Sequence, residues 1–159
     1  MIVNKDSNDI HLKNDNPHII IWEDRYDTHI EHIDTQHKKL VDLINDLYHA
    51  CLVGQSSADT VFKEAMSRMV EYVHFHFTEE QELLKRINYP EYHDHKNQHD
   101  SLIKDILEAA KEFDEGKKFV PNHFVRTLKD WVLSHIAVYD KNYALFIAGQ
   151  KRKSLSGEE

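Results

Sequence analysis

Residues 62–87, FKEAMSRMVEYVHFHFTEEQELLKRI, decide the fold. Phe62, Met66, Met69, Val73, His76, Glu80, Leu83 and Ile87 recur at steps of three and four, the period of one face of an α-helix. This predicts a helix over roughly 58–87, ended by Asn88-Tyr89-Pro90 because a residue preceding proline disfavours helical dihedrals. The stripe is apolar at both ends but carries an imidazole and a carboxylate towards its middle. An ionised carboxylate inside an apolar stripe is costly unless a cation accompanies it.

Working outward, three more stripes share the same period. One helix is expected from Thr35 to Val53, with Asp34 as its N-cap and Gly54 near its end. Leu40, Leu43, Ile44, Leu47, Tyr48 and Cys51 line its face, and His37 extends that line. Another is expected from Glu91 to Glu115, stopped by Gly116, with Tyr92, His95, His99, Leu102, Ile106, Ala109 and Phe113 in register. The last is expected from Asn122 to Ala148, between Pro121 and Gly149. It aligns Phe124, Leu128, Trp131, His135, Tyr139, Asn142 and Phe146. Four helices of similar length on short connections imply an all-α, up-down-up-down antiparallel four-helix bundle, with the apolar segment Ile19–Trp22 of an N-terminal arm docked on it. The expected organisation is a loosely ordered polar arm over 1–18, a helical domain over 19–149 and a flexible tail over 150–159.

Composition narrows the function. The chain has 159 residues, enough for one ordinary domain, and its four Gly and three Pro suit long helices. The formal net charge of −8 comes without a basic stripe, which argues against nucleic acid as a partner. Lys151–Lys153 reads as a solvated tail. No apolar run approaches the ~18 residues of a membrane span, and the first residues show no secretory leader. Cys51 is the single cysteine; it cannot form an intrachain disulfide, which fits a reducing cytoplasm.

The polar residues on the apolar stripes carry the chemistry. Positions four apart on a helix share a face, so His76 pairs with Glu80 and His95 with His99, while His37 and His135 come from the other two helices. Asp140 lies five residues beyond His135, ~140° around a regular helix, and has to reach in from the flank. Any one of these histidines is ordinary core material. Together they point at one place from four helices, and the economical explanation is a pair of metal ions. Imidazole and carboxylate suit iron and similar metals. A single zinc needs three or four ligands, HExxH is absent, and only Glu71 with His74 has the Glu-x-x-His spacing that a ferritin-like site uses twice. A histidine-rich, carboxylate-poor pair of divalent ions keeps residual positive charge, which favours an anionic ligand such as peroxide or hydroxide. His11, His18, His29, His32, His49, His74, His93 and His123 fall off this phase and read as surface or arm residues.

Trp22, the run Ile33-Asp34-Thr35-Gln36-His37, Tyr72 to Glu80 ending HFTEE, Tyr89-Pro90, HKNQH at 95–99, and Trp131 through His135 to Asp140 resemble the hemerythrin family, specifically its bacterial members. The resemblance implies a non-haem di-iron site with an oxo or hydroxo bridge inside a four-helix bundle. It implies that His95, His99 and His135 bind one iron, that His37 and His76 bind the other, and that Glu80 and Asp140 bridge them. The family's HxxxxD spacing matches Asp140. Dioxygen would bind reversibly as hydroperoxide at the two-histidine iron, for storage, delivery or scavenging, with Phe77 and Trp131 walling its pocket. The alternatives on the same scaffold are a di-iron enzyme acting on peroxide or nitric oxide, and an oxygen or redox sensor.

Overall fold

The computed structural model describes residues 17–52, 58–116 and 121–156. Its helices are α1 (Glu31–Leu52), α2 (Ala58–Arg86), α3 (Tyr92–Asp114), α4 (Pro121–His135) and α5 (Lys141–Ser156). Between the last two lies one π-helical turn, Ile136–Asp140, with helical backbone on both sides, so α4 and α5 form one interrupted rod. Four rods make the bundle: α1 packs on α2 and on α4, and α2 packs on α3. No helix among the described residues is long and apolar enough to cross a membrane.

Turn chemistry sets the ends. Asn88 adopts φ 52, the left-handed conformation that terminates helices. The N–H of Tyr89 donates to the Leu84 carbonyl at 3.0 Å and that of Asn88 to the Lys85 carbonyl at 3.0 Å, so α2 closes in a Schellman pattern with Asn in the place glycine usually takes. Gly116 closes α3 with φ 64. Asp34 is not the N-cap that the sequence suggests. It lies inside the first turn of α1, and its carboxylate accepts the N–H of Thr28 at 2.7 Å, the Thr28 hydroxyl at 2.7 Å and the N–H of His29 at 3.0 Å. The helix therefore starts four residues earlier than expected, and the acid gathers the preceding loop. Val53 and Gly54 lie outside the described residues.

The core has two apolar parts. Leu40, Phe77, Leu102 and Ile136 belong to the larger, and Ile33, Leu84, Tyr89 and Tyr143 to the smaller. Along three of the four rods a polar residue separates them: His37 lies between Ile33 and Leu40, Glu80 between Phe77 and Leu84, and Asp140 between Ile136 and Tyr143. The bundle thus holds one polar layer between two dry ones.

The last rod departs from the expected stripe. Tyr139 and Asn142 are exposed, while Asp140 and Tyr143 are fully buried. A π turn closes i→i+5 rather than i→i+4 bonds, so it absorbs one extra residue and moves the inward phase on by one. The rod also continues through Gly149 to Ser156 instead of ending at Ala148. Gly149 has no positive φ and open space where a Cβ would stand, so it acts as an ordinary helical residue there.

The start of the described chain is pinned by a residue that periodicity does not single out. Asn45, buried on α1, accepts the N–H groups of Ile19 and Ile20 at 3.0 Å each and donates to the Ile20 carbonyl at 3.0 Å. Removing it leaves buried backbone groups without partners. Asn45→Ala is expected to cost about 2–3 kcal/mol, lowering the thermal midpoint by about 5–10 °C, and to alter the fluorescence of nearby Trp22. A melt unchanged within a degree or so would refute this role.

Candidate metal centre

The polar layer brings together all seven residues singled out in the sequence. His37 comes from α1, His76 and Glu80 from α2, His95 and His99 from α3, His135 from α4 and Asp140 from the π turn, and all are buried. They fall into two overlapping groups able to hold an ion. Ligand atoms of Glu80, His95, His99, His135 and Asp140 lie within 4.8 Å of one another, as do those of His37, His76 and Glu80.

Both carboxylates are shared. Glu80 Oε2 lies 3.1 Å from the Nε2 atoms of His95 and His99, and Glu80 also belongs to the His37–His76 group. Asp140 Oδ1 lies 3.1 Å from His135 Nε2 and 3.5 Å from His95 Nε2, while Oδ2 is 3.1 Å from His37 Nε2. One oxygen of Asp140 therefore faces each group. The π turn is what brings it there, since a regular helix would turn this side chain away.

The ring nitrogens crowd in a way that protein atoms alone satisfy poorly. His99 Nε2 is 3.0 Å from His135 Nε2, which is 3.3 Å from His95 Nε2. Two neutral nitrogens that both present lone pairs cannot bond to each other. Both ring nitrogens of His37, Nδ1 of His135 and both oxygens of Asp140 are buried with no hydrogen-bond partner of acceptable geometry among the described residues. Buried orphans of this kind are rare and expensive; a cation among them would turn His37 Nε2 and the Asp140 oxygens into ligand atoms, leaving Nδ1 of His37 and His135 on the far edges of their rings. Nitrogen and carboxylate oxygen without sulfur suit iron, manganese or zinc. Cys51, half-buried and apart from the cluster, has its thiol pushed up to about 11 by burial.

Surrounding groups hold the inner ones in place. His76 Nδ1 pairs with Gln36 Oε1 at 2.8 Å, and the Gln81 amide stands 3.4 Å from His99 Nδ1, which turns the opposite Nε2 edges inward. Tyr143 donates its hydroxyl to Glu80 Oε1 at 2.6 Å. Burial, with Glu80 beside it, keeps the Tyr143 phenol well above its usual range, so it remains a donor. The sequence reading did not include Tyr143; its signal lay one residue past the expected stripe.

Electrostatics follow from burial and neighbours. Burial pushes the His76 ring down to about 4 despite nearby Glu80, and it lowers His99 as well. At His37, burial works downward, but Asp140 and Glu80 outweigh it and raise the ring. His95 is raised in the same way, with Glu80 prevailing over burial. Burial works upward on both carboxylates, yet the histidines hold Glu80 well below its usual range and Asp140 at about 2. Two ionised carboxylates thus share one dry layer.

Aromatic rings close this layer. Phe77 stacks on His99 at 3.6 Å and 2°. Trp131 stacks on His135 at 4.5 Å and 11°, and Tyr139 stacks on the same ring at 5.2 Å and 19°. Phe77 and Trp131 stand 6.2 Å apart, next to the three-histidine group. Of the remaining histidines, His18, His29, His32, His74, His93 and His123 are exposed and His49 is half-buried; His11 lies outside the described residues.

Comparison with known proteins agrees with this arrangement. The family model described as the hemerythrin HHE cation binding domain matches residues 28–145. A bacteriohemerythrin of Clostridium acetobutylicum is 30% identical over 128 residues, covering 79% of this chain and 98% of that protein. Bacteriohemerythrins of Pseudomonas aeruginosa (30% identical, 78% of each chain) and Methylococcus capsulatus (28% identical, 74% of this chain and 88% of the relative) are also similar. A crystal structure of wild-type hemerythrin superposes with a TM-score of 0.74 at 26% identity, covering 79% of this chain and 95% of the other. By its matched residues and its bundle, this chain belongs to the hemerythrin HHE cation binding domain family.

Proposed function

We propose that this chain is a non-haem di-iron protein that binds dioxygen reversibly. The observation that carries the reading is Asp140, with one oxygen 3.1 Å from a nitrogen of each histidine group and neither oxygen hydrogen-bonded. In this reading His95, His99 and His135 hold one ion, His37 and His76 hold the other, and Glu80 and Asp140 serve both. The functional unit is the helical domain over 19–149. Two ferrous ions would supply the electrons that dioxygen takes up on binding. The chain's own part is to fix the ligands, exclude water and keep protons in defined places. Gln36 and Gln81 orient His76 and His99, and Tyr143 donates to Glu80 rather than competing for a cation. Phe77, stacked on His99 and 5.6 Å from the His76 ring, reaches both histidine groups, and with Trp131 on the three-histidine side it keeps water from the layer. The unequal histidine count leaves the His37–His76 side with fewer protein ligands and so with room for an external one.

Ferrous loading followed by air tests this directly. The expected result is a visible absorption band that appears with oxygen, disappears on deoxygenation and returns over repeated cycles. One-way conversion to a ferric form, with turnover of peroxide or nitric oxide, would instead favour an enzyme. Iron binding should also be linked to pH. The rings of His37 and His95 are raised in the metal-free chain, so near pH 6.5 they hold protons that an incoming cation must displace. Loading is expected to release protons there, and affinity should rise with pH until both rings are neutral. A pH-stat recording no release would rule out protonated rings in the metal-free centre.

A further inference from the structure

Two surface cavities border the buried centre. One, of about 500 Å³, is lined by Glu91, Asp94, Gln98 and Tyr139 and has His95 in its wall. The other, of about 450 Å³, is lined by Gln98, Asp130 and Tyr139 and reaches His135. Tyr139 and Gln98 are common to both and stand between them. The Tyr139 ring covers the centre at this point, stacked on His135 at 5.2 Å and edge-on to His95 at 6.4 Å. It is nonetheless 37% exposed, and exposed side chains change rotamer within nanoseconds.

The cavities differ in charge. Asp130 is paired with Lys129 at 2.9 Å. Glu91 and Asp94 are exposed, and among the described residues no lysine or arginine forms an ion pair with either; Glu91 accepts only the Tyr89 hydroxyl at 3.2 Å. A cleft lined by one sign of charge concentrates the opposite ion. We propose that divalent metal reaches the centre through the Glu91–Asp94 cavity, meets His95 first, and passes when the Tyr139 ring swings aside. The inference rests on the metal-binding reading above and assigns it a route. It gives Tyr139 a purpose that its exposed place on the π turn otherwise lacks.

The test uses the metal-free chain and cobalt(II), whose ligand-field bands report occupancy. At low ionic strength, loading of Glu91→Gln/Asp94→Asn is expected to be about fivefold slower, with the difference vanishing in high salt as the steering field is screened. Final occupancy should be unchanged. Tyr139→Ala should speed both loading and removal by a chelator about tenfold by opening the covered rings. Asp130→Asn should load at the parent rate. Equal rates for the parent, the double variant and Tyr139→Ala would overturn the route while leaving the centre intact. A parent chain that takes up no cobalt would overturn the centre itself, and the route with it.

Discussion

On the proposed di-iron reading, Glu80→Ala is expected to lower bound iron from about two ions per chain to less than one, since it removes a carboxylate common to both ligand groups. The loss should exceed that from any single histidine, because each histidine belongs to one group only. Stability falls as well. The side chain is fully buried; its removal leaves the Tyr143 hydroxyl without its acceptor at 2.6 Å and leaves the raised His95 ring without its nearest anion. Breaking a buried pair in this way costs about 3–5 kcal/mol, or about 6–15 °C in the midpoint of the metal-free chain. Glu79→Ala supplies the comparison. Glu79 is the exposed neighbour of Glu80, and its replacement should stay within about 0.5 kcal/mol with full iron content. Metal analysis and melts of both variants decide the matter: normal iron in Glu80→Ala would remove the bridging role.

Asp140→Ala should have a comparable effect on iron, because Asp140 is the other side chain that turns an oxygen to each group. A companion deletion tests why this residue points inward. Removing Val138, which is half-exposed, takes away the extra residue that the π turn accommodates. The shortened rod can then run as a regular α-helix, with Asp140 now four positions after His135 and still on its face. Asp140 and Tyr143 would occupy the places that a straight-helix reading gives to Tyr139 and Asn142. The deletion is therefore expected to keep most of its iron, although it cuts into a ligand segment, whereas Asp140→Ala loses it. If the deletion empties the centre as completely as Asp140→Ala, the π turn contributes more than phase.

The same segment shows where reading the sequence stops. The four helices were legible because apolar residues recur at a fixed step, and six of the seven inward polar residues lie on those stripes. Asp140 does not; a regular helix would turn it aside, and its five-residue spacing from His135 is accounted for in the sequence only by the family resemblance. A π turn leaves no mark in periodicity until its far side is compared with its near side, and here that far side holds Tyr143. Asn45 and Gln36 escaped for another reason. Each acts through a specific hydrogen bond, to the Ile19–Ile20 backbone and to His76 respectively, and amide partners are fixed by three-dimensional closeness rather than by step. Asp34 was recognised as belonging to the start of α1, but its partners lie in the loop ahead of it.

All four rods of the bundle contribute at least one member of the polar layer. A ligand that binds only the folded chain stabilises it by about 2.7 kcal/mol at a hundredfold excess over its dissociation constant, and here that gain is spread over every rod at once. Without it, two ionised acids and several orphaned nitrogens remain in a dry interior, and the whole chain opens more often. Proteases act on the opened fraction. If the bound ion is iron, as proposed, such a protein would be degraded faster in a cell short of iron, so its abundance would follow the iron supply with no dedicated regulator.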